Sequence, residues 1–506
     1  MSAAEHDVEC DVLIAGGGPT GVTLAILLAR QGVKVVVAEK EAAIYPLPRA
    51  AHLDHEAMRI LQAAGAADDV FATSRRAARY DFLTARRDVL MRLEGADRLG
   101  PGGWPGANMI HQPSVEAALH RSLSQARGAE LHHRWEVQGF ADDGAQVFTE
   151  IATPEGPLRV RSRFLIGADG ARSQVRTAAG ISFDDLRFEE PWLVVDVLVD
   201  DLSRLPTANL QICDPKRPTT CVLMGEGRHR WEFMILPRET PERVSDDAFI
   251  ETLLAPWNVK GAVRIERKAV YTFRARIAER WRQGRVLLAG DAAHQTPPFA
   301  GQGLCSGLRD ASNIAWKLAA VICNDAPLDL LDSYLPERGP HVRATIDMAI
   351  MMGRLVCTTN PVAAWFRDQS MRLGRALGRA PAGPPSYPDI ATGVILRGSA
   401  GAGSYFPQAV AADGTRLDDI LGGDAWLLCR ADLDAPQLQP FATGIGRWLE
   451  ANSAEAVLVR PDRYVFGSGP PIDLASAWTA ATGLGLVEDT CKMSSWRGGE
   501  RNGPRI

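Results

Sequence analysis

CDVLIAGGGPTGVTLAILLARQGVKVVVAEK, residues 10–40, constrains the fold more than any other stretch of this chain. Val12 to Ala15 is a short apolar run suited to a strand buried on both faces. Gly16, Gly18 and Gly21 follow in G-x-G-x-x-G spacing; Leu24, Leu27 and Leu28 then share one helical face, and Gly32 supplies a stop. Val35 to Ala38 reads as a second buried strand, closed by Glu39. In this pattern the first glycine makes the tight turn and the second lets the backbone approach a pyrophosphate. The third lets the helix pack against the strand, so that its N-terminus faces the phosphates. Glu39 is placed to accept hydrogen bonds from the hydroxyls of an adenosine ribose. A glycine trio alone also fits a structural turn, but between two strands and followed by an acid it specifies a dinucleotide site. NAD and FAD both satisfy it. The chain then continues as a loop and helix, YPLPRAAHLDHEAMRIL, and not with the further βαβ units usual in a nicotinamide dehydrogenase.

Two later stretches repeat the logic of an apolar strand ending in glycine and acid. In RFLIGADGARSQVR (163–176), Phe164 to Ile166 lead into Asp169-Gly170, with Arg172, Ser173 and Arg176 where a helix starts. In RVLLAGDAAHQTPPFAGQGL (285–304), a strand at Val286 to Ala289 leads into Gly290-Asp291. A turn stiff at Pro297-Pro298 and slack at Gly301 and Gly303 follows, then a helix from Leu304 to Val321. Each alone is compatible with an ordinary strand-to-helix connection. In this order and spacing, the three together resemble the FAD-dependent aromatic hydroxylases with the p-hydroxybenzoate hydroxylase fold, over about residues 8 to 350.

That resemblance implies the following roles. Gly16, Gly18, Gly21 and Glu39 hold the ADP half of FAD, and Arg49 and Gln112 contact its phosphate and ribityl region. Asp169 serves the FAD and nicotinamide side, and Asp291 the ribityl chain. Pro298 and the backbone of Gly301, Gly303 and Leu304 lie beside the isoalloxazine ring, where N–H groups and the following helix dipole stabilise negative charge on reduced flavin. NADH or NADPH acts as a transient co-substrate, because GAGSYF at 401 lacks the third glycine of a second dinucleotide site. Oxygen reaches the ring through a flavin C4a-hydroperoxide, so the protein's part is positioning, dryness and electrostatics. A base for the phenol proton is sought among His52, Asp54 and His111, with His294 a weaker candidate; Ala51 stands where related phenol hydroxylases carry an aspartate.

The strings PRAAHLDHEAMRIL, ICDPKRPTT, RWEFMILP and GDAAHQTPPFAGQGL are similar to the branch of 3-(3-hydroxyphenyl)propionate, phenol and resorcinol hydroxylases. The fold expected is therefore α/β: a Rossmann-like FAD-binding domain, an antiparallel-sheet substrate domain and a C-terminal thioredoxin-like α/β domain. Its boundaries are 1–181 and 276–377 for the FAD domain, 182–275 for the sheet, 378–393 for a Pro/Gly-rich linker and 394–506 for the last domain. Most large side chains of the sheet read as core; Trp192, Phe233 and the loop's Pro297 are the expected substrate wall. Without a C-x-x-C, the last domain is structural or a subunit contact, with a homodimer left open.

Composition removes other classes. The formal charge of -5 is spread along the chain, so no basic stripe awaits nucleic acid or a membrane surface. Eight scattered cysteines show neither a disulfide framework nor a zinc spacing, and no metal is expected. The acidic, polar opening MSAAEHDVEC and the short apolar run GVTLAILLAR lead to a cytoplasmic expectation, with a small phenol, NAD(P)H and dioxygen as partners. Halogenase and Baeyer–Villiger signature strings are absent. A tailoring hydroxylase of polycyclic polyketides shares the same plan and is the alternative reading. A non-catalytic flavin scaffold is the alternative of another class, and the complete PPFAGQGL loop argues against it.

Overall fold

The computed structural model describes residues 8–379 and 387–485. The first elements are β1 (Val8–Ala15), α1 (Pro19–Arg30) and β2 (Val35–Glu39), the strand–turn–helix–strand unit expected from the glycine pattern. Next come β3 (His52–Leu53), α2 (His55–Ala63), β4 (Arg79–Leu83), α3 (Gln112–Gln125), β5 (Ala129–His133) and β6 (Gly156–Gly167). A second group of strands follows: β7 (Phe183–Val199), β8 (Asn209–Ile212), β9 (Thr219–Leu223), β10 (Arg228–Met234) and β11 (Val263–Ala278). The chain returns through β12 (Val286–Leu288) to α4 (Gly303–Cys323), α5 (Tyr334–Val356) and α6 (Pro361–Ala376). The described residues end in β13 (Trp426–Cys429), α7 (Ala442–Ala451), β14 (Ala456–Val459), β15 (Val465–Gly469) and α8 (Pro471–Thr482).

Five parallel strands, in the order β12–β6–β1–β2–β5, form the centre of the first sheet. Val12, Leu13 and Ile14 are fully buried there, as a parallel strand covered on both faces requires. Ala15 pairs with Gly167, and Gly167 with Leu288. The three glycine-and-acid signals thus sit together at the carboxyl ends of adjacent strands, the edge where open α/β sheets bind ligands.

The second sheet runs β11–β7–β10–β9–β8–β4, antiparallel except where β8 lies parallel to β4. It draws β4 and the neighbouring strand Val89–Glu94 from ahead of residue 182. Its outer face packs Leu193, Val195, Trp231 and Phe233 against Ile250 and Leu254 of helix Asp247–Leu254 in an apolar cluster of its own. Its inner face turns toward the strand ends of the first sheet.

Residues 387–485 carry a three-stranded antiparallel sheet, β13–β14–β15, with α7, α8 and a separate core that includes Phe406, Leu428 and Val457. Buried ion pairs join this unit to the rest. Arg59 of α2 meets Asp418 at 2.6 Å, and Arg460 meets Glu337 of α5 at 2.6 Å. Residues 380–386 of the expected linker (378–393) fall outside the described residues. Among the described residues no helix is long and apolar enough to cross a membrane, and no group of His, Cys, Asp and Glu is arranged to hold a metal.

Candidate active site

A cavity of about 830 Å³ opens where the strand ends of the first sheet face the inner side of the second. At one end of its wall lie Gly18, Pro19 and Thr20, the N-terminus of α1. Gly16 has φ +108° and abuts the Ala168 carbonyl, where a Cβ would collide; a Cβ on Gly21 would strike the Gly16 carbonyl. Gly18 has open space in the same test. Two of the glycines therefore serve close packing, and the third leaves the helix N-terminus bare toward the cavity, a ready site for a pyrophosphate. Glu39 is fixed beside it: its carboxylate accepts the Gly17 N–H at 2.6 Å and the Glu41 N–H at 2.8 Å.

Further along, Arg49, Gln112 and Asp291 share the wall. Gln112 accepts the Ala50 N–H at 2.7 Å and donates to Glu116 at 2.7 Å, so it steadies the loop that carries Arg49. Asp291 exposes its side chain to the cavity, yet protein crowds it closely enough that burial pushes its carboxyl above the usual range, with His294 and Arg49 opposing.

The loop after β12 makes one 3-10 turn at Pro298–Ala300, swings left-handed at Gly301 (φ +64°) and enters α4 at Gly303. Pro298, Gly301, Gly303 and Leu304 are all on the wall, and the N-terminus of α4 opens on the cavity. Gln302 accepts from Arg309 through Oε1 at 3.2 Å, while its Nε2 is buried without a partner. A bare helix N-terminus, glycines without side chains and an orphaned donor fit a flat ring with acceptor atoms on its edge, as in the flavin of FAD. His52 stands behind the loop, its Nδ1 3.2 Å from the Gly301 carbonyl; burial holds the imidazole below its usual pKa.

The facing wall is the inner side of the second sheet, where a polar row lies among apolar side chains such as Val194, Val222 and Phe273. Gln211, Thr220 and Glu232 form one cross-strand row over β8, β9 and β10. Thr220 Oγ1 donates to Gln211 Oε1 at 2.8 Å, and Gln211 Nε2 donates to the Tyr80 hydroxyl at 2.6 Å. Beside the row, Arg230 donates to Asp196 at 2.6 Å and to the carbonyls of Arg49 and Pro48 at 2.8 and 2.9 Å. Arg267 also donates to the Pro48 carbonyl and lies 3.5 Å from Asp196. This buried cluster straps the Arg49 loop to the sheet. Glu232 comes within 3.7 Å of Arg230, and burial, which Arg230 opposes, raises its carboxyl to about 7.

Several expected residues stand elsewhere. Phe233 points into the outer apolar cluster, because strand alternation gives the cavity Arg230 and Glu232 instead. Trp192 shares the inner face with Val194 but is fully buried behind the wall, packed on Phe273 and Phe299 at 6.0 and 5.6 Å. Pro297 is buried ahead of the turn, leaving Pro298 to the cavity.

Asp54 caps α2, accepting the Ala57 N–H at 2.9 Å, and pairs with Arg309 at 2.6 Å. Burial disfavours its charge, but Arg309 prevails and holds the carboxyl well below the usual range; Asp54 is committed to the helix cap and to Arg309, away from the cavity wall. His111 precedes α3 with Nδ1 2.9 Å from Ser114 Oγ, off the cavity wall. His294 is sealed against Asp310 at 2.6 Å. Asp169 Oδ2 accepts the first N–H groups, of Gln174 and Val175, of the short helix Gln174–Ala178 that Ser173 caps, and the neighbouring Ala168 and Gly170 reach the wall. Sequence reasoning passed over Tyr80, Gln211, Thr220 and Glu232. The alternation in RHRWEFM, read with its polar residues inward, was the available signal for Glu232.

Residues 9–349 match the family model described as FAD binding domain. The chain is 36% identical over 495 residues to a probable NADH-specific resorcinol 4-hydroxylase of Rhodococcus jostii (strain RHA1), covering 90% of this chain and 91% of that protein. It is 38% identical over 364 residues to a 3-(3-hydroxy-phenyl)propionate/3-hydroxycinnamic acid hydroxylase of Mycolicibacterium smegmatis. That match covers 72% of this chain and 64% of the relative's length. A solved ternary complex of aklavinone-11 hydroxylase with FAD and aklavinone is similar with a TM-score of 0.75 at 25% identity, over 95% of this chain and 100% of that one.

Proposed function

This chain belongs to the FAD binding domain family, and we propose that it is an FAD-dependent monooxygenase that hydroxylates a phenolic ring at the expense of NADH or NADPH and dioxygen. One observation carries the reading: the N-termini of α1 and α4 and the polar row of the second sheet border the same cavity. FAD, reduced by the nicotinamide, supplies the oxygen-activating chemistry.

The protein's residues have separable tasks in this reading. Gly18, Thr20 and the α1 N-terminus bind pyrophosphate, and Glu39 binds ribose beyond it. Arg49, Gln112 and Asp291 hold the middle of the cofactor. Pro298, Gly301, Gly303 and Leu304 bear on the ring, with His52 steadying the loop through the Gly301 carbonyl. Asp169 acts at one remove, by fixing the turn that presents Gly170. Phe273, Phe299 and Met352 exclude water, while the Gln211–Thr220–Glu232 row faces the polar edge of the phenol.

A small phenol is favoured over a polycyclic substrate by the names of the relatives at 36% and 38% identity. The domain plan follows: 1–181 and 276–377 for the FAD domain, with strands 79–83 and 89–94 lent to the sheet of 182–275, a linker at 378–393, and a thioredoxin-like domain at 394–506, supported by its small sheet flanked by two helices. The proposal includes a cytoplasmic location and a homodimer, for which Trp365 and Phe366, exposed on α6, offer apolar surface.

The test is NADH and NADPH oxidation with oxygen uptake by the purified protein, with and without resorcinol, 3-(3-hydroxyphenyl)propionate and 3-hydroxybenzoate, and products read by mass. One phenol should speed oxidation manyfold and gain one oxygen atom. Oxidation indifferent to every phenol would remove the reading.

A further inference from the structure

Glu232 is an acid in an unusual place. It sits near the middle of a strand in the second sheet, with Thr220 paired on one side and Val194 on the other. Its side chain is on the cavity wall, and among the described residues its carboxylate accepts no hydrogen bond. The polar neighbours are already committed. Arg230 spends its donors on Asp196 and on the carbonyls of Pro48 and Arg49. Gln211 and Thr220 bond to each other, and Gln211 to Tyr80. Glu232 is the one member of the row that makes no side-chain hydrogen bond among the described residues, and it lines the same cavity as the Pro298–Leu304 loop.

We propose that Glu232 is the proton acceptor for the substrate's phenolic hydroxyl. The inference rests on the phenol hydroxylase reading above. In the step, the O–H bond of the phenol breaks, its electron pair stays on the ring oxygen, and the proton forms an O–H bond on the Glu232 carboxylate. The ring, now a phenolate, is the stronger nucleophile toward electrophilic oxygen. The C–H bond of the attacked carbon then breaks to restore the aromatic ring, its proton neutralising the oxygen left behind by the transfer; the Glu232 proton returns to the ring oxygen, the product leaves as a neutral phenol and the carboxylate is restored.

The surroundings suit this exchange. Arg230 lies beside Glu232 on β10; Asp196 of β7 and Arg267 of β11 lie behind it, and Tyr80 of β4 lies at the other end of the row. Two guanidiniums and two carboxylates balance while Glu232 is charged. Moving a proton from phenol to Glu232 leaves the summed charge of protein and substrate unchanged. A carboxyl raised to about 7 also narrows the gap to an ordinary phenol, which ionises near about 10. The candidates drawn from the sequence lack this combination: Asp54 is tied to Arg309, His111 is off the wall, and His52 serves the loop. The remaining titratable groups on the wall are Arg49, Arg79, Tyr271, Asp291 and Tyr387.

The test uses the FAD-loaded full chain and two phenols: resorcinol, which stays protonated at neutral pH, and 4-nitrophenol, which ionises unaided near neutrality. Product formation is measured against pH for the wild type, Glu232→Gln and Glu232→Asp, with bound FAD checked by absorbance. Glu232→Gln should lower resorcinol hydroxylation by about 100-fold or more and erase its acid limb near pH 7, while NADH consumption continues. Hydroxylation of 4-nitrophenol above its own ionisation should fall by less than about threefold, because no proton then needs an acceptor. Glu232→Asp should keep an acid limb at shifted pH. Equal losses on both phenols, or no loss on either, would overturn the assignment. If the wild type hydroxylates neither phenol nor any other in the panel, the enzymatic reading itself falls.

Discussion

Along β10, His229, Trp231 and Phe233 point outward to the apolar cluster under helix Asp247–Leu254, while Arg230 and Glu232 point inward to the cavity. Both faces are almost equally shielded: Trp231 is 0% and Glu232 7% exposed. What separates them is how polar atoms are treated. Outside, burial pushes His229 down to about 3 and raises the thiol of Cys221, 3.0 Å away, so that the pair stays neutral. Inside, charges are kept and partnered, and one carboxylate is left able to accept. A sheet face that builds core removes charge, whereas a face that builds a site retains it at some cost in stability.

Breaking the outer face should give the largest loss of stability. Trp231→Ala should cost about 3–5 kcal/mol in urea denaturation. A loss under about 1 kcal/mol would mean that the outer cluster does not hold the sheet.

The inner face can be probed by pH. The Glu232 carboxyl is raised from 4.5 to about 7 in the fold, so between those values the folded chain holds a proton that the unfolded chain has released. Stability therefore falls as pH rises from about 4.5 to about 7, by up to about 3 kcal/mol, and stays lowered above. Urea midpoints of FAD-loaded wild type and Glu232→Gln should diverge across this window, the variant losing less. Parallel curves would place the titration elsewhere.

Tyr80→Phe is the mildest perturbation. It removes the acceptor of the Gln211 amide and should cost about 1 kcal/mol, appearing chiefly as a higher KM for the phenol with FAD content unchanged. A changed kcat with constant KM would instead put Tyr80 in the chemistry.

The same contrast explains what could be read from the chain beforehand. Gly16, Gly18, Gly21 and the Gly290–Leu304 loop were legible because their meaning is local: a turn, a close approach and a helix start lie within a few residues of each other. Phe233 was misplaced because the choice between two strand faces depends on which side a distant helix covers. Large aromatics look like pocket walls in a sequence, yet here they fill the core behind one. Asp54 carried a helix-cap signal, with Glu56 in the first turn, but its decisive partner is Arg309, far along the chain. Long-range ion pairing leaves no periodic trace. For that reason the seam with residues 387–485 was invisible as well.

That seam makes the C-terminal unit a missing half of another unit's interior. Asn313 and Trp316 of α4, the helix that begins at the cavity, donate to Asp462 at 2.9 and 3.3 Å. Lys317 pairs with Glu337, and Glu337 with Arg460, all wholly buried. A chain ending before Tyr387 would strip Arg460 and Asp462 from this set and open an ionic wound along the helix that follows the Pro298–Gly301 turn. Serial shortening of the gene should therefore show no gradual decline, and no compact yellow fragment made of the first two sheets alone. Residues 387–485 behave as a keystone, set late in the sequence and holding up what was built before them.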